Sequence, residues 1–236
     1  MTTNTSFALS YAQEFTNRKV LLRTYIDEKN NYFFWKRAFD FTIALMVTCF
    51  ILSWLLPIIA LLIKWLTPGP VFFLQKRVGR GGRTFVCYKF RTMVVNGEAN
   101  QQQAVENDLR ITRLGRFLRK TNIDEFPQFI NVLTGSMSIV GPRPHMHADC
   151  LRFSEVVQGY KFRNLVKPGL TGLAQVKGFH GPVVNTECIT RRYHWDAFYV
   201  KNAGFGLDLE IISKTAVQRI GFLFKELFGG KSLSNK

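Results

Sequence analysis

Residues 41–63 form an uncharged apolar run of roughly 23 positions, about the length that crosses the hydrocarbon layer of a bilayer. The run is apolar on every side, which predicts a membrane-embedded helix over 36–67 in place of a soluble core helix. Pro57 falls near its middle, where a missing N–H and a bulky ring bend a helix, so it is the predicted break. Lys36 and Arg37 stand before the run, and Lys64, Lys76, Arg77, Arg80 and Arg83 follow it. Positive charge marks the cytoplasmic side of a membrane segment. Equal marking of both flanks suggests a dip that enters and leaves by one face, with a bent full crossing as the alternative.

Beyond the run, Pro68-Gly69-Pro70 stops the helix and the pattern turns strand-like. Residues 71–77 and 84–90 flank Gly79-Arg80-Gly81-Gly82, which predicts a hairpin. That glycine cluster lacks the Lys-Ser/Thr of a phosphate-binding loop and opens no helix. In Tyr88-Lys89-Phe90-Arg91-Thr92-Met93, alternation puts Lys89 and Arg91 on one strand face, where they suit a diphosphate or lipid head groups equally. Residues 94–108 are polar and read as a loop, short exposed helix or lid. Arg110, Arg113, Arg116 and Arg119 then recur every third position, as a basic helical stripe would. Residues 151–166 read as an amphipathic helix, followed by a turn at Lys167-Pro168-Gly169 and a short extended piece to Val176. Over 207–228, Leu209, Ile212, Ala216, Ile220, Leu223 and Leu227 keep helical spacing among Lys214, Arg219 and Lys225. Such a helix suits an anionic membrane surface or packing on a core. Residues 1–31 are polar, with no signal-peptide pattern. The whole predicts an α+β protein: an extension over 1–35, a re-entrant helix-break-helix over 36–67, and a cytosolic domain over 68–236.

Composition adds one constraint. The 32 Lys and Arg against 16 Asp and Glu give +16, which calls for an anionic partner: nucleic acid, anionic lipid or a phosphorylated substrate. Aromatic residues concentrate in the apolar segments and do not alternate with cations, unlike a nucleic-acid platform. Cys49, Cys87, Cys150 and Cys188 are scattered and read as reduced, buried thiols.

The chemistry concentrates in residues 118–144. Asp124 and Glu125 precede an apolar stretch, with Arg119 and Lys120 before them and Arg143 between two prolines after. The spacing predicts a helix capped by Asn122 or Asp124, with Pro127 in its first turn and Gly135 at its end. Carboxylates at that end of a helix stay ionised, and the same end welcomes phosphate. An ionised carboxylate facing a phosphate held by arginine is a nucleophile facing an electrophile. Taken alone, an Asp-Glu-x-Pro is more often a simple cap. The rigid Gly141-Pro142-Arg143-Pro144 turn, which aims a guanidinium, shifts the balance. His145-Met146-His147 lacks a nearby third ligand and is a poor metal motif.

The block from Arg116 to Gln128, with Met137-Ser138-Ile139-Val140-Gly141-Pro142-Arg143-Pro144, resembles the bacterial sugar transferase family, the monotopic polyprenyl-phosphate phosphoglycosyl transferases. The resemblance runs from about residue 36 to about residue 221 and includes Lys89-Phe90-Arg91-Thr92-Met93. The motif Lys167-Pro168-Gly169-Leu170-Thr171-Gly172 is similar to longer members that transfer hexose 1-phosphates. It implies transfer from a UDP-hexose to polyprenyl (undecaprenyl) phosphate through Asp124, in the first membrane step of exopolysaccharide, capsule or O-antigen synthesis. Lys89, Arg91, Arg119 and Arg143 would hold phosphates, Glu125 would bind Mg2+, and the domain would lie on the cytoplasmic face of the bacterial inner membrane among anionic lipids. Nucleic acid is not an expected partner, and a homo-oligomer is left open. Two departures stand out: relatives often have Ser before the break proline, whereas Leu56 precedes Pro57 and Ser53 lies one turn earlier, and Ser136 replaces a common acidic residue. The competing readings are a membrane-attached nucleic-acid-binding protein and a non-catalytic scaffold.

Overall fold

The computed structural model describes residues 24–25, 27–95, 108–179, 181 and 185–228. Residues 1–23 of the extension expected over 1–35, and most of the polar loop, 96–107, lie outside the described residues; the first helix begins at Asn30, inside the expected extension.

The apolar run forms helix α1 (Asn30–Val47), a wide π turn (Thr48–Leu52) and helix α2 (Ser53–Leu66). The whole stretch Asn30–Leu66 is long and apolar enough to cross a membrane, by length and composition. Phe50, Trp54, Leu61 and Trp65 remain exposed along it. Pro57 lies inside α2, and the irregular turn falls ahead of it, not at it. Proline crowds the turn before it and leaves a carbonyl without a donor, and a π turn absorbs such a mismatch. The Ser53 hydroxyl donates to the Cys49 carbonyl (2.6 Å) and Trp54 Nε1 to that of Phe50 (2.7 Å). Both bonds serve carbonyls of the π turn, one turn ahead of the Ser53 carbonyl that an N–H at position 57 would have met.

Both arms pack on the same small domain. From α1, Arg37 donates to the Val132 and Leu133 carbonyls (2.6 and 2.8 Å), and Asp40 Oδ1 accepts from the Ile139 amide (3.1 Å). Ala44 enters the main core with Cys87, Val132, Val140, Tyr199, Val200 and Ile211. From α2, Ile59 and Ile63 form a second cluster with Phe90 and Leu118.

Strands β1 (Phe72–Val78) and β2 (Thr84–Phe90) form the expected antiparallel hairpin, in register from Phe72↔Phe90 to Val78↔Thr84. Its turn uses positive φ at Gly81 (66°) and Gly82 (79°). Helix α3 (Arg113–Thr121), a 3-10 turn (Ile123–Glu125) and helix α4 (Gln128–Leu133) follow, then strand β3 (Ser138–Val140). The predicted helix over 151–166 is two pieces, α5 (His147–Val156) and a 3-10 turn (Tyr160–Leu165), separated by Gly159 at φ 75°. Strand β4 (Gly169–Thr171) pairs in parallel with β3, and α6 (Leu173–Val176) follows where extended chain was expected. Helix α7 (Thr186–Asn202), which the hydrophobic pattern does not predict, starts at Asn185, whose side chain accepts from the Cys188 amide (2.9 Å). The last helix, α8 (Phe205–Phe228), matches its prediction and packs on β3 and β4. All four cysteines are free, but only Cys87 is buried, and Cys49 is exposed on the apolar helix.

Candidate functional site

The acid pair is placed by α3 and the turn after it. Thr112 Oγ1 accepts from the Gly115 amide (2.8 Å) and caps α3. Gly115 then passes so close to β2's extension that an added Cβ would lie 1.9 Å from the Thr92 carbonyl oxygen. Asn122 closes α3 in the left-handed region (φ 59°, ψ 16°), a conformation that Asn tolerates better than most residues. The chain then enters the 3-10 turn that carries Asp124 and Glu125. Ile123 packs against the cluster of Ile59, Ile63, Phe90 and Leu118, which places the turn of the acid pair beside the cluster that α2 helps to form.

This corrects the expected cap. Neither Asn122 nor Asp124 caps the following helix, because α4 begins only at Gln128, behind Pro127, with no side-chain cap. Asp124 is therefore not held at a helix N-terminus. Burial pushes its carboxyl up to about 6; nearby Lys89 pulls the other way, while the charge of Glu125 adds to the rise. Burial would raise Glu125 too, but Arg143 and Lys89 outweigh it and hold that carboxyl well below the ordinary carboxylate range. The two acids thus have opposite characters. Glu125 is anchored by two cations that favour its ionised form, whereas Asp124, only 8% exposed, takes no hydrogen bond or ion pair from any described residue.

Lys89 and Arg143 both converge on Glu125 Oε1 at 2.7 Å, and Arg143 Nη1 lies 3.5 Å from Oε2. Arg119 turns inward from α3, with Nε donating to Thr92 Oγ1 (2.8 Å), and its charge acts on Asp124. Arg91 goes elsewhere. Strand β2 ends at Phe90, and the Arg91 guanidinium turns to the Thr67 and Pro68 carbonyls (2.9 and 2.5 Å), where it fastens the end of α2. It does not share Lys89's task on one strand face. The arginine stripe is also shorter than expected, since α3 starts at Arg113 and Arg110 pairs with Asp108 (2.7 Å).

The loop carrying Arg143 is fixed through four consecutive carbonyls. Pro142 accepts from the Gly169 amide (3.1 Å), Arg143 from Arg163 Nη2 (2.6 Å), Pro144 from Arg77 Nη1 (2.8 Å) and His145 from the Val78 amide (2.9 Å). His145 Nδ1 meets the Tyr160 hydroxyl (2.5 Å), while His147 Nε2 meets Thr84 Oγ1 (2.8 Å), so the two histidines do not converge on a metal. Burial, with Arg163 and other guanidinium groups around it, pushes the His145 imidazole well below its ordinary value.

Arg163, Asp196 and Asn131 are site-supporting residues that the sequence reading omits. Asn131 Oδ1 accepts from the Tyr88 amide (3.0 Å) and Nδ2 donates to the Val86 carbonyl (2.7 Å), so one side chain imitates a third strand beside β2. A polar residue inside the apolar run Phe129-Ile130-Asn131-Val132-Leu133 was the available signal. Ser136 joins the same cluster by donating to the Asn131 carbonyl (3.1 Å).

The site thus combines an unengaged buried carboxylate, an anchored neighbour and the cations Lys89, Arg119 and Arg143, in a chain that also carries an apolar helix long enough to cross a membrane. Residues 31–221 match the family described as Bacterial sugar transferase, and the chain belongs to that family. Over 196 residues, 82% of this chain, it is 43% identical to the UDP-glucose:undecaprenyl-phosphate glucose-1-phosphate transferase of Xanthomonas campestris pv. campestris, of which that covers 40%. It is 42% identical over 185 residues to the UDP-N-acetylgalactosamine-undecaprenyl-phosphate N-acetylgalactosaminephosphotransferase of Aeromonas hydrophila, covering 78% of this chain and 43% of that one. The exopolysaccharide production protein PSS of Rhizobium leguminosarum bv. phaseoli is 43% identical over 78% of this chain and 94% of its own length. The chain thus spans about two fifths of the first two relatives.

Proposed function

We propose that this chain is a polyprenyl-phosphate hexose-1-phosphate transferase working through Asp124. The observation that carries the reading is the division of labour in the acid pair: Glu125 is tied to Lys89 and Arg143, and Asp124 is left free to attack. In the first step an Asp124 oxygen bonds to the β-phosphorus of a UDP-hexose and the anhydride bond to the α-phosphate breaks, releasing UMP and leaving an acyl sugar-phosphate. In the second, a phosphate oxygen of the polyprenyl phosphate bonds to that phosphorus, the acyl bond breaks, and the carboxylate returns. Lys89, Arg119 and Arg143 offset the charge that spreads over the phosphoryl oxygens.

Magnesium suits this donor set. No group of three His, Cys, Asp or Glu side chains gathers among the described residues, but Mg2+ needs only one or two carboxylates and fills its shell with phosphate oxygens and water. Glu125 Oε2, held only at 3.5 Å by Arg143, is the oxygen left to hold it. When bound, the ion would add charge neutralisation at the diphosphate.

The packing of both helical arms on one domain supports a re-entrant helix, since a crossing would set their ends about 30 Å apart on opposite sides. The site would then meet a dissolved donor and a bilayer-bound acceptor at the cytoplasmic face. The printed activities of the Xanthomonas and Aeromonas relatives support a UDP-sugar donor and undecaprenyl phosphate as acceptor. Incubating the detergent-solubilised protein with a panel of UDP-sugars should release UMP and leave a sugar-phosphate adduct on the peptide containing Asp124. Transfer to added polyprenyl phosphate by a protein that forms no adduct and releases no UMP when the acceptor is withheld would contradict the mechanism.

A further inference from the structure

We infer that the buried Arg163–Asp196 ion pair is a positioning device for Arg143, holding that guanidinium where a diphosphate is bound; the inference rests on the function proposed above. Arg163, in the 3-10 turn, and Asp196, on α7, are both 2% exposed, and Arg163 Nη2 lies 2.8 Å from Asp196 Oδ2. Arg163 Nε makes a second contact to the same oxygen at 2.9 Å. A buried ion pair of this kind is a poor source of stability, because desolvation offsets the attraction and apolar residues of similar volume often serve as well.

What the pair does beyond neutralising itself is specific. Nη2, while bound to Asp196, also donates to the Arg143 carbonyl at 2.6 Å. The Tyr160 ring lies 5.4 Å from the Arg163 guanidinium carbon, so the fork is set by a salt bridge on one side and an aromatic face on another. The Tyr160 hydroxyl reaches His145 Nδ1 (2.5 Å), two residues beyond Arg143 in the loop. Arg163 therefore grips the one carbonyl whose own side chain reaches Glu125, while the Gly169 amide, Arg77 and Val78 hold its neighbours.

Arg143 has donors to spare. Nη2 is engaged at 2.7 Å, Nη1 is only at 3.5 Å, and Nε has no partner among the described residues. A planar group with donors left over, on a backbone pinned residue by residue, is pre-organised for an anion that arrives later. Loosening the backbone at Arg143 would leave the fold standing and blunt the aim of its fork.

The test separates structure from positioning by double substitution in the full chain. Arg163→Met or Asp196→Leu alone leaves a buried charge without its partner, and each should lower Tm. Arg163→Met with Asp196→Leu removes both charges and should bring Tm back to within about 3 °C of wild type. Binding of inorganic pyrophosphate by calorimetry should nevertheless stay weaker than wild type by about tenfold or more. KM for the UDP-sugar should rise by a similar factor while KM for the polyprenyl phosphate stays put. If the double variant regains both Tm and wild-type pyrophosphate affinity, the pair is structural and the inference is overturned. Should the double variant not fold, Arg163→Lys keeps the charge on Asp196 but lacks the planar fork. It should fold and bind pyrophosphate several-fold more weakly, and unchanged affinity overturns the inference. A wild-type chain that binds no pyrophosphate overturns it as well. Failure of wild type to release UMP from any UDP-hexose would sink the proposed function, while the pyrophosphate comparison still decides the role of the pair.

Discussion

Lys89 Nζ and Glu125 Oε1 lie 2.7 Å apart, which ties the strand of the hairpin to the turn that carries the acid pair. Arg143 closes on the same oxygen, so Glu125 is the joint where three separate segments meet. Glu125→Gln keeps the shape and removes the charge. Turnover should fall by about a hundredfold or more, as expected for loss of a charged group that sets phosphate-binding cations. Losing the adjacent negative charge should also let Asp124 ionise more readily, because that charge is one of the forces raising its carboxyl. The acid limb of the adduct-formation rate against pH should therefore move to lower pH in this variant. A limb that stays in place would show that Glu125 does not act on Asp124.

Asp124→Asn should abolish the adduct and, above pH 6, make the protein more stable. In the folded chain the carboxyl is raised from 3.8 to about 6, so folding favours the protonated form. Stability is thus lost as pH rises from about 4 through 6, and the full penalty applies above that range. Asparagine carries no such penalty. Tm of the variant should exceed wild type at pH 7 by roughly 4 °C, and the difference should vanish near pH 4. Glu125 has the opposite sign: its depressed carboxyl stabilises the fold above about pH 4.5, and that contribution fades as pH falls further. Calorimetric scans of both variants across pH would read the two effects separately.

Asn131→Leu should be far more damaging than the similar volumes suggest. It leaves the Tyr88 amide and the Val86 carbonyl without their partner, at roughly 1–3 kcal/mol for each buried group. Asn131→Asp retains an acceptor for Tyr88 but turns a second acceptor on Val86, so it should not rescue. Hydrogen exchange at Tyr88 should accelerate in both variants, and Lys89, the next residue on β2, should lose its register with Glu125. Unchanged exchange would mean that β2 needs no such edge partner.

The features legible in the sequence are those written locally. The hairpin follows from a glycine cluster between alternating segments, and the acid pair and the proline-flanked Arg143 are adjacent or rigid by covalent structure. The unread features depend on tertiary placement. A helix end would keep Asp124 ionised, but the carboxyl is buried in the 3-10 turn between α3 and α4, a tertiary placement that reverses the shift. Alternation put Arg91 beside Lys89 correctly only for as long as the strand continues, and β2 stops one residue short of it. Arg163 and Asp196 lie in separate elements, and no local pattern connects them.

The apolar arm is keyed to the domain by a second buried pair, Lys36 and Asp208, at 2.8 Å. Asp208 also accepts from the Tyr32 and Tyr199 hydroxyls (2.8 and 2.7 Å), so α1, α7 and α8 meet on one carboxylate. Asp208→Leu takes from the buried Lys36 ammonium its direct ion-pair partner and leaves it only the charge of Asp40 one turn along α1, at a cost of up to about 3–5 kcal/mol. Lys36→Met combined with Asp208→Leu should recover most of that loss. Limited proteolysis and Tm in detergent would measure both, and equal stability of the single and double variants would deny the coupling.

Topology is the remaining prediction, and the packing dictates which positions can report it. Lys36 is 7% exposed and bonded to Asp208, so a label there would read burial and not sidedness. Glu28, before α1, and Lys76, on β1 after α2, are both exposed. Single cysteines at Glu28 and Lys76, in a chain whose four native cysteines are replaced by serine or alanine, should react with a membrane-impermeant maleimide only after inverted vesicles expose the cytoplasmic face. Because Arg37 and Asp40 hold α1 to the same domain that Ile59 and Ile63 hold to α2, both positions should switch together. Labelling of the two from opposite faces would require one arm to leave the domain, exposing the Val132 and Leu133 carbonyls that Arg37 covers, and would replace the re-entrant reading with a crossing.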